Sequence, residues 1–186
     1  MSMSPTRRYR ALSIRLCVGV TLLTGLLAGI TRLLASAAAR DVLDLDFPGV
    51  PATPGSAASI FVSNVSLVAV VAIATVVVGS VRRGLQRGTN SRRAAILYTT
   101  FFDLLLALPT VTSIGVVGLG VGGYGERMVR MILPHGIIEL AGFALALAVY
   151  VDARRRPPKP CVAAAALGMS IVVLAIAAVT ETYINP

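Results

Sequence analysis

Ser59–Val81 reads SIFVSNVSLVAVVAIATVVVGSV, a run of 23 residues without one charged side chain. As a helix at about 1.5 Å per residue it rises about 35 Å, enough to cross a bilayer core with some tilt. The rest of the chain shares its character. Of 186 residues, 56% are apolar and 13% charged, and mean hydropathy is +0.83. So few charges could not screen that much apolar surface from water, which excludes a disordered chain, a disulfide scaffold and an ordinary cytosolic enzyme. The composition is that of an integral membrane protein.

Four further segments of this kind flank the first: Leu16–Ser36, Ala94–Gly123, Met131–Val151 and Cys161–Thr180. The expected fold is therefore all-α, with five transmembrane helices. Residues 1–15 form a basic N-terminal stretch and 16–36 the first helix. Residues 37–58 form a loop, 59–152 a three-helix core, and 153–186 a basic loop with the last helix. Asp41–Ser56 contains three Asp, three Pro and two Gly, which predicts irregular structure. Ala94–Gly123 contains Asp103 and Pro109 and predicts one kinked helix with a Gly-rich tail. Arg7, Arg8 and Arg10 before an apolar run, with Ala35–Ala39 after it, have the outline of a signal peptide. The apolar run exceeds the usual signal core, so a retained anchor is expected, uncleaved after Ala37 or Ala39.

The net charge is +9 and the pI about 10.8. The basic residues sit in clusters between apolar runs, and no basic face is interleaved with stacking aromatics, so nucleic acid is not the expected partner. With the N-terminus inside and one crossing per segment, thirteen Lys and Arg lie inside and four outside. That bias predicts N-terminus in and C-terminus out. Cys17 and Cys161 have no Cys or His partner at ligand spacing, so no zinc site is expected.

Ionisable groups inside a membrane segment are costly and mark function or packing. Apart from Arg32, which can snorkel from the end of the first segment, three fall inside the segments, Asp103, His135 and Glu139, and Asn64 adds a polar amide. His135 and Glu139 are four apart and share a helix face. Pro134 before them suits a first helical turn, because it lacks the N–H that would go unpaired there. The expected arrangement is a polar network in which His135 and Glu139 pair with each other and with Asn64 or Asp103. The rival readings are a proton relay, an ion site or half of a metal site. The spacing is H-x-x-x-E rather than H-E-x-x-H, and no Ser or Cys sits in a nucleophile motif. No catalytic residue, metal ligand or cofactor is therefore assigned. Gly118–Gly123 satisfies G-x-G-x-x-G but ends a membrane segment, so it predicts close helix contact or a flexible exit rather than a dinucleotide loop. Gly25 and Gly29, in G-x-x-x-G spacing, likewise permit close packing in the first helix.

Leu133–Leu140, LPHGIIEL, resembles the signature of the stage II sporulation protein M family, in which a Leu-Pro-His-Gly-x-x-Glu-like stretch opens a late membrane helix. Pro134, His135, Gly136 and Glu139 carry the match. Phe61–Asn64 looks like the family's Asn-bearing second helix. The chain departs from the pattern at Ala141, where a Pro is usual, at Val65, where a second Asn often stands, and at Asp103-Leu104, in the neighbourhood of an Asn-Gly pair. The resemblance covers about residues 59–152. It implies a non-enzymatic, multi-pass protein of a bacterial cell membrane that assembles or assists membrane or cell-envelope complexes. In spore formers such proteins anchor a peptidoglycan-degrading complex. Implied partners are the lipid bilayer and other membrane proteins, among them cell-wall enzymes. Two rival classes stand beside this one. One is a transport component, either a permease-like subunit working with an ATPase subunit or a peptide export or self-immunity protein. The other is an intramembrane metal enzyme.

Overall fold

The computed structural model describes residues 4–45, 51–89, 91–156 and 158–184. Among these every element is an α-helix: α1 (Pro5–Leu34), α2 (Ser36–Leu43), α3 (Pro54–Gln86), α4 (Arg92–Tyr124), α5 (Glu126–Arg155) and α6 (Pro160–Ile184). All but α2 are long and apolar enough to cross a membrane. This is the architecture of a multi-pass helical membrane protein.

The helix starts follow capping chemistry. Thr53 Oγ1 accepts from the Ser56 N–H at 3.2 Å, with Pro54 in the first turn of α3. Ser91 Oγ accepts from the Ala94 N–H at 3.2 Å and starts α4. Gly125, at φ +60°, is the single residue between α4 and α5. A side chain there would be strained, and its Cβ would lie 2.8 Å from Arg32 Nη1.

α5 is the hub and packs against α1, α3, α4 and α6, whereas α1 and α3 do not touch. Its buried side is built from Gly142, Ala144, Ala146, Ala148, Val149 and Ala153, small residues that let neighbouring backbones come close. Ser170 Oγ donates to the Gly142 carbonyl at 2.7 Å, and a Cβ on Gly142 would lie 2.9 Å from Leu174 Cγ. The main apolar core joins Val68, Val71, Ala74 and Val78 of α3 to Phe102 and Leu106 of α4, Ala146 of α5 and Leu174 of α6. The α3 members recur at intervals of three and four, one stripe of the helix. The opposite face is also apolar, with Val62, Ile73 and Val76 exposed. A helix apolar all round, buried on one stripe only, matches a lipid surround.

Several expectations need correction. The segment 94–123 is, as expected, one helix, and it runs through Pro109. Of the two readings of its glycines, close helix contact holds and a flexible tail does not: Cβ atoms on Gly118 and Gly122 would lie 2.8 Å from Leu27 Cδ2 and 2.5 Å from Thr31 Cβ. They are where α1 seats on α4. Gly25 and Gly29 have nothing within 4 Å of an added Cβ, so this G-x-x-x-G makes no close contact among the described residues. Pro134 lies inside α5, not in its first turn. The Gly125 turn lets the chain re-enter a helix at once, and Glu126 in the first turn receives Arg130 at 2.6 Å. The 37–58 loop is partly helical, because α2 runs to Leu43 and α3 begins at Pro54. Tyr124 Oη fastens α2 by accepting from the Leu45 N–H at 2.9 Å and donating to the Arg40 carbonyl at 3.2 Å. Residues 46–50 of that loop lie outside the described residues. The basic loops are also shorter than expected, since α3 continues to Gln86 and α5 to Arg155. Polar side chains at these ends stabilise helix beyond the apolar stretch that hydropathy alone detects.

Candidate functional site: a polar cleft between α3, α5 and α6

Asn64 and Glu139 meet directly. Asn64 Nδ2 donates to Glu139 Oε1 at 2.6 Å, joining α3 to α5. Both side chains are partly buried, and the ionised acceptor makes this a stronger bond than one between neutral groups. The bond lines an open cleft of about 420 Å³, whose walls are Ser59, Ile60, Ser63, Asn64, Glu139 and Glu181. Glu181 comes from the last turn of α6. It is near enough to interact electrostatically with both His135 and Glu139. Among the described residues no arginine or lysine lines the cleft.

His135 shares the Glu139 face of α5, but no hydrogen bond or ion pair joins the two among the described residues. His135 Nδ1 is buried without a hydrogen-bond partner. Of the expected network, the Asn64–Glu139 contact is present and the His135–Glu139 contact is not found among the described residues. Among the described residues, no group of three His, Cys, Asp or Glu is placed to hold a metal ion.

Asp103 belongs to a different site. It lies toward the Arg-rich end of the bundle, accepts from Tyr150 Oη at 2.7 Å and pairs with Arg154 at 3.0 Å. This ties α4 to α5. Beside it Asp152, 3% exposed, faces α1: Arg8 lies at 3.5 Å and Arg156 at 3.8 Å. Tyr9 is buried next to this pair. The last two turns of α5 thus hold two neighbouring helices by separate carboxylate–arginine contacts.

The residues that sequence reasoning missed were Glu181, Ser59, Ser63, Asp152, Arg8 and Tyr150. Glu181 stands one residue beyond the last apolar segment and Asp152 one beyond the fourth, so a search confined to the segments passed over both. Extending each segment by one turn would have found them.

The chain is thus a helical membrane bundle with a carboxylate-lined cleft at one end and two ionic clamps at the other. No protein-family model, curated protein or solved structure matches it.

Proposed function

We propose that the chain is a non-enzymatic, multi-pass protein of a bacterial cell membrane that assembles or assists other membrane or cell-envelope proteins, as members of the stage II sporulation M family do. Its Arg-rich end lies in the cytoplasm and its C-terminus outside. The observation that carries this reading is the Asn64–Glu139 hydrogen bond. It joins the two stretches that resemble the family, Phe61–Asn64 and Leu133–Leu140. The polar side chains inside the bundle mostly serve as ties between helices, the use expected in a rigid scaffold. The test is isolation of a tagged chain from native bacterial membranes in mild detergent. A stoichiometric complex well above the 19.3 kDa of one chain supports the reading, and a lone monomer overturns it.

The open, carboxylate-lined cleft favours a second reading, a transport component that moves protons or a small cation. Glu139→Gln separates the two. A scaffold keeps its fold and partners with glutamine there, whereas a transporter keeps its fold and loses flux.

A further inference from the structure

We infer that the cleft between α3, α5 and α6 is a docking surface for a partner's transmembrane helix bearing one arginine or lysine. The inference rests on the assembly reading above and supplies the chemistry of the partner.

The cleft is rich in acceptors and poor in donors. Glu139 spends one oxygen on Asn64. Its other oxygen and both oxygens of Glu181 have no hydrogen bond or ion pair among the described residues. His135 Nδ1 is buried nearby, also without a partner. The walls add the hydroxyls of Ser59 and Ser63, and among the described residues no arginine or lysine lines them. Glu139 lies inside an apolar segment, where a carboxylate is normally paired, and Glu181 stands at the mouth of the cleft in the last turn of α6. The group that complements this set is a donor-only cation, and a guanidinium with five N–H donors does so best. A volume of about 420 Å³ admits such a head group with attending water.

The surface around the cleft argues for a helix as the carrier. Ser59, Ser63 and Ser66 are all exposed and recur along one face of α3. Ser66 satisfies its hydroxyl on the Ser63 carbonyl at 2.6 Å, so the face can meet a second backbone without leaving that donor unpaired. Small hydroxyl residues gain nothing from lipid but allow close helix approach. The cationic side chain would enter between Glu139 and Glu181 while its helix lies along the serines.

The test reconstitutes the full chain in phosphatidylcholine vesicles with a labelled Leu/Ala transmembrane peptide carrying one Arg at cleft depth. Energy transfer reads association. The Arg peptide should associate at least tenfold more tightly than the same peptide with Leu, and Glu139→Gln with Glu181→Gln should erase the difference. Ser63→Leu, on an exposed face, should block association without moving the unfolding midpoint. Equal association of the Arg and Leu peptides with the unmodified chain overturns the inference. So does displacement of the Arg peptide by free ethylguanidinium at equal concentration, which would make the occupant a small cation. A native-membrane complex that persists undiminished in the Glu181→Gln chain overturns the docking inference and leaves the assembly reading standing. Absence of any native complex with the unmodified chain overturns the assembly reading instead.

Discussion

Asn64 and Glu139 are 75 residues apart in sequence and are joined by a 2.6 Å hydrogen bond in the fold. The bond spans the α3–α5 interface with a neutral donor and a carboxylate acceptor. His135, a turn away from Glu139 on its own helix, makes no such contact. The partner of Glu139 is therefore chosen by tertiary packing, and the difference is measurable.

In a double-mutant cycle, Asn64→Ala and Glu139→Ala should couple by about 1 kcal/mol, the range of interhelical hydrogen bonds in membranes. His135→Ala and Glu139→Ala should be close to additive. Reversible unfolding in mixed micelles provides the measurement. Stronger coupling for the His135 cycle would contradict the geometry.

Gly122→Ala should destabilise the bundle by about 1–3 kcal/mol, as overpacking does, because its Cβ would lie 2.5 Å from Thr31 Cβ and 2.8 Å from the Ala28 carbonyl oxygen. Gly29→Ala meets nothing within 4 Å and should be neutral or stabilising by up to about 1 kcal/mol through helix propensity. Thermal unfolding of the two variants side by side tests the seating of α1 on α4.

At the Arg-rich end, Asp103→Ala should cost more than Arg154→Ala. Removing the carboxylate strands the hydroxyl of Tyr150, a residue 4% exposed, at about 1–3 kcal/mol. Removing the arginine breaks a pair whose side chains are 45% and 32% exposed, worth at most about 1 kcal/mol. Asp103→Asn, which still accepts from Tyr150, should fall between. Denaturation midpoints for the three variants give the order.

Arg8→Ala should be more damaging than Arg156→Ala. Both face Asp152, but the Arg8 side chain is 19% exposed against 53% for Arg156. Leaving a buried carboxylate short of its closer cation approaches the cost of a broken buried pair, about 3 kcal/mol. Trypsin sensitivity of the α1 N-terminal turns should rise in Arg8→Ala alone.

The proposed orientation predicts that a cysteine introduced at Ser91, in a chain without Cys17 and Cys161, resists an impermeant maleimide applied to intact cells. It should react once the membrane is opened. Labelling before lysis would reverse the orientation.

The number and order of the spanning helices were legible because each apolar run is long and bounded by Arg, Pro or Gly. The partners of polar groups were legible only as alternatives, of which Asn64 with Glu139 is the one found. Helical spacing placed His135 and Glu139 on one face, but only the packing of α3 on α5 decides which neighbour reaches the carboxylate. Asp103 shows the same limit: its depth in α4 matches Tyr150 and Arg154, a register no single segment reveals. Hydropathy also ends a segment at its first charge. For that reason Glu181 and Asp152, one residue past two such ends, fell outside the segments searched for buried ionisable groups, although their helices continue through them. Pro134 misled because a proline at a helix start and one tolerated inside a membrane helix look alike in sequence.

The turn at Gly125 has a bearing on how the protein is made. With one residue between α4 and α5, no stretch of chain is available for the two helices to enter the bilayer separately. They must insert together as a hairpin. Once inside, the far end of that hairpin is latched by Asp103 with Tyr150 and Arg154, 47 and 51 residues along the chain. The pair is thus closed covalently at one end and ionically at the other. It forms a prefabricated stave against which α1, made before it, and α6, made after it, can each be packed.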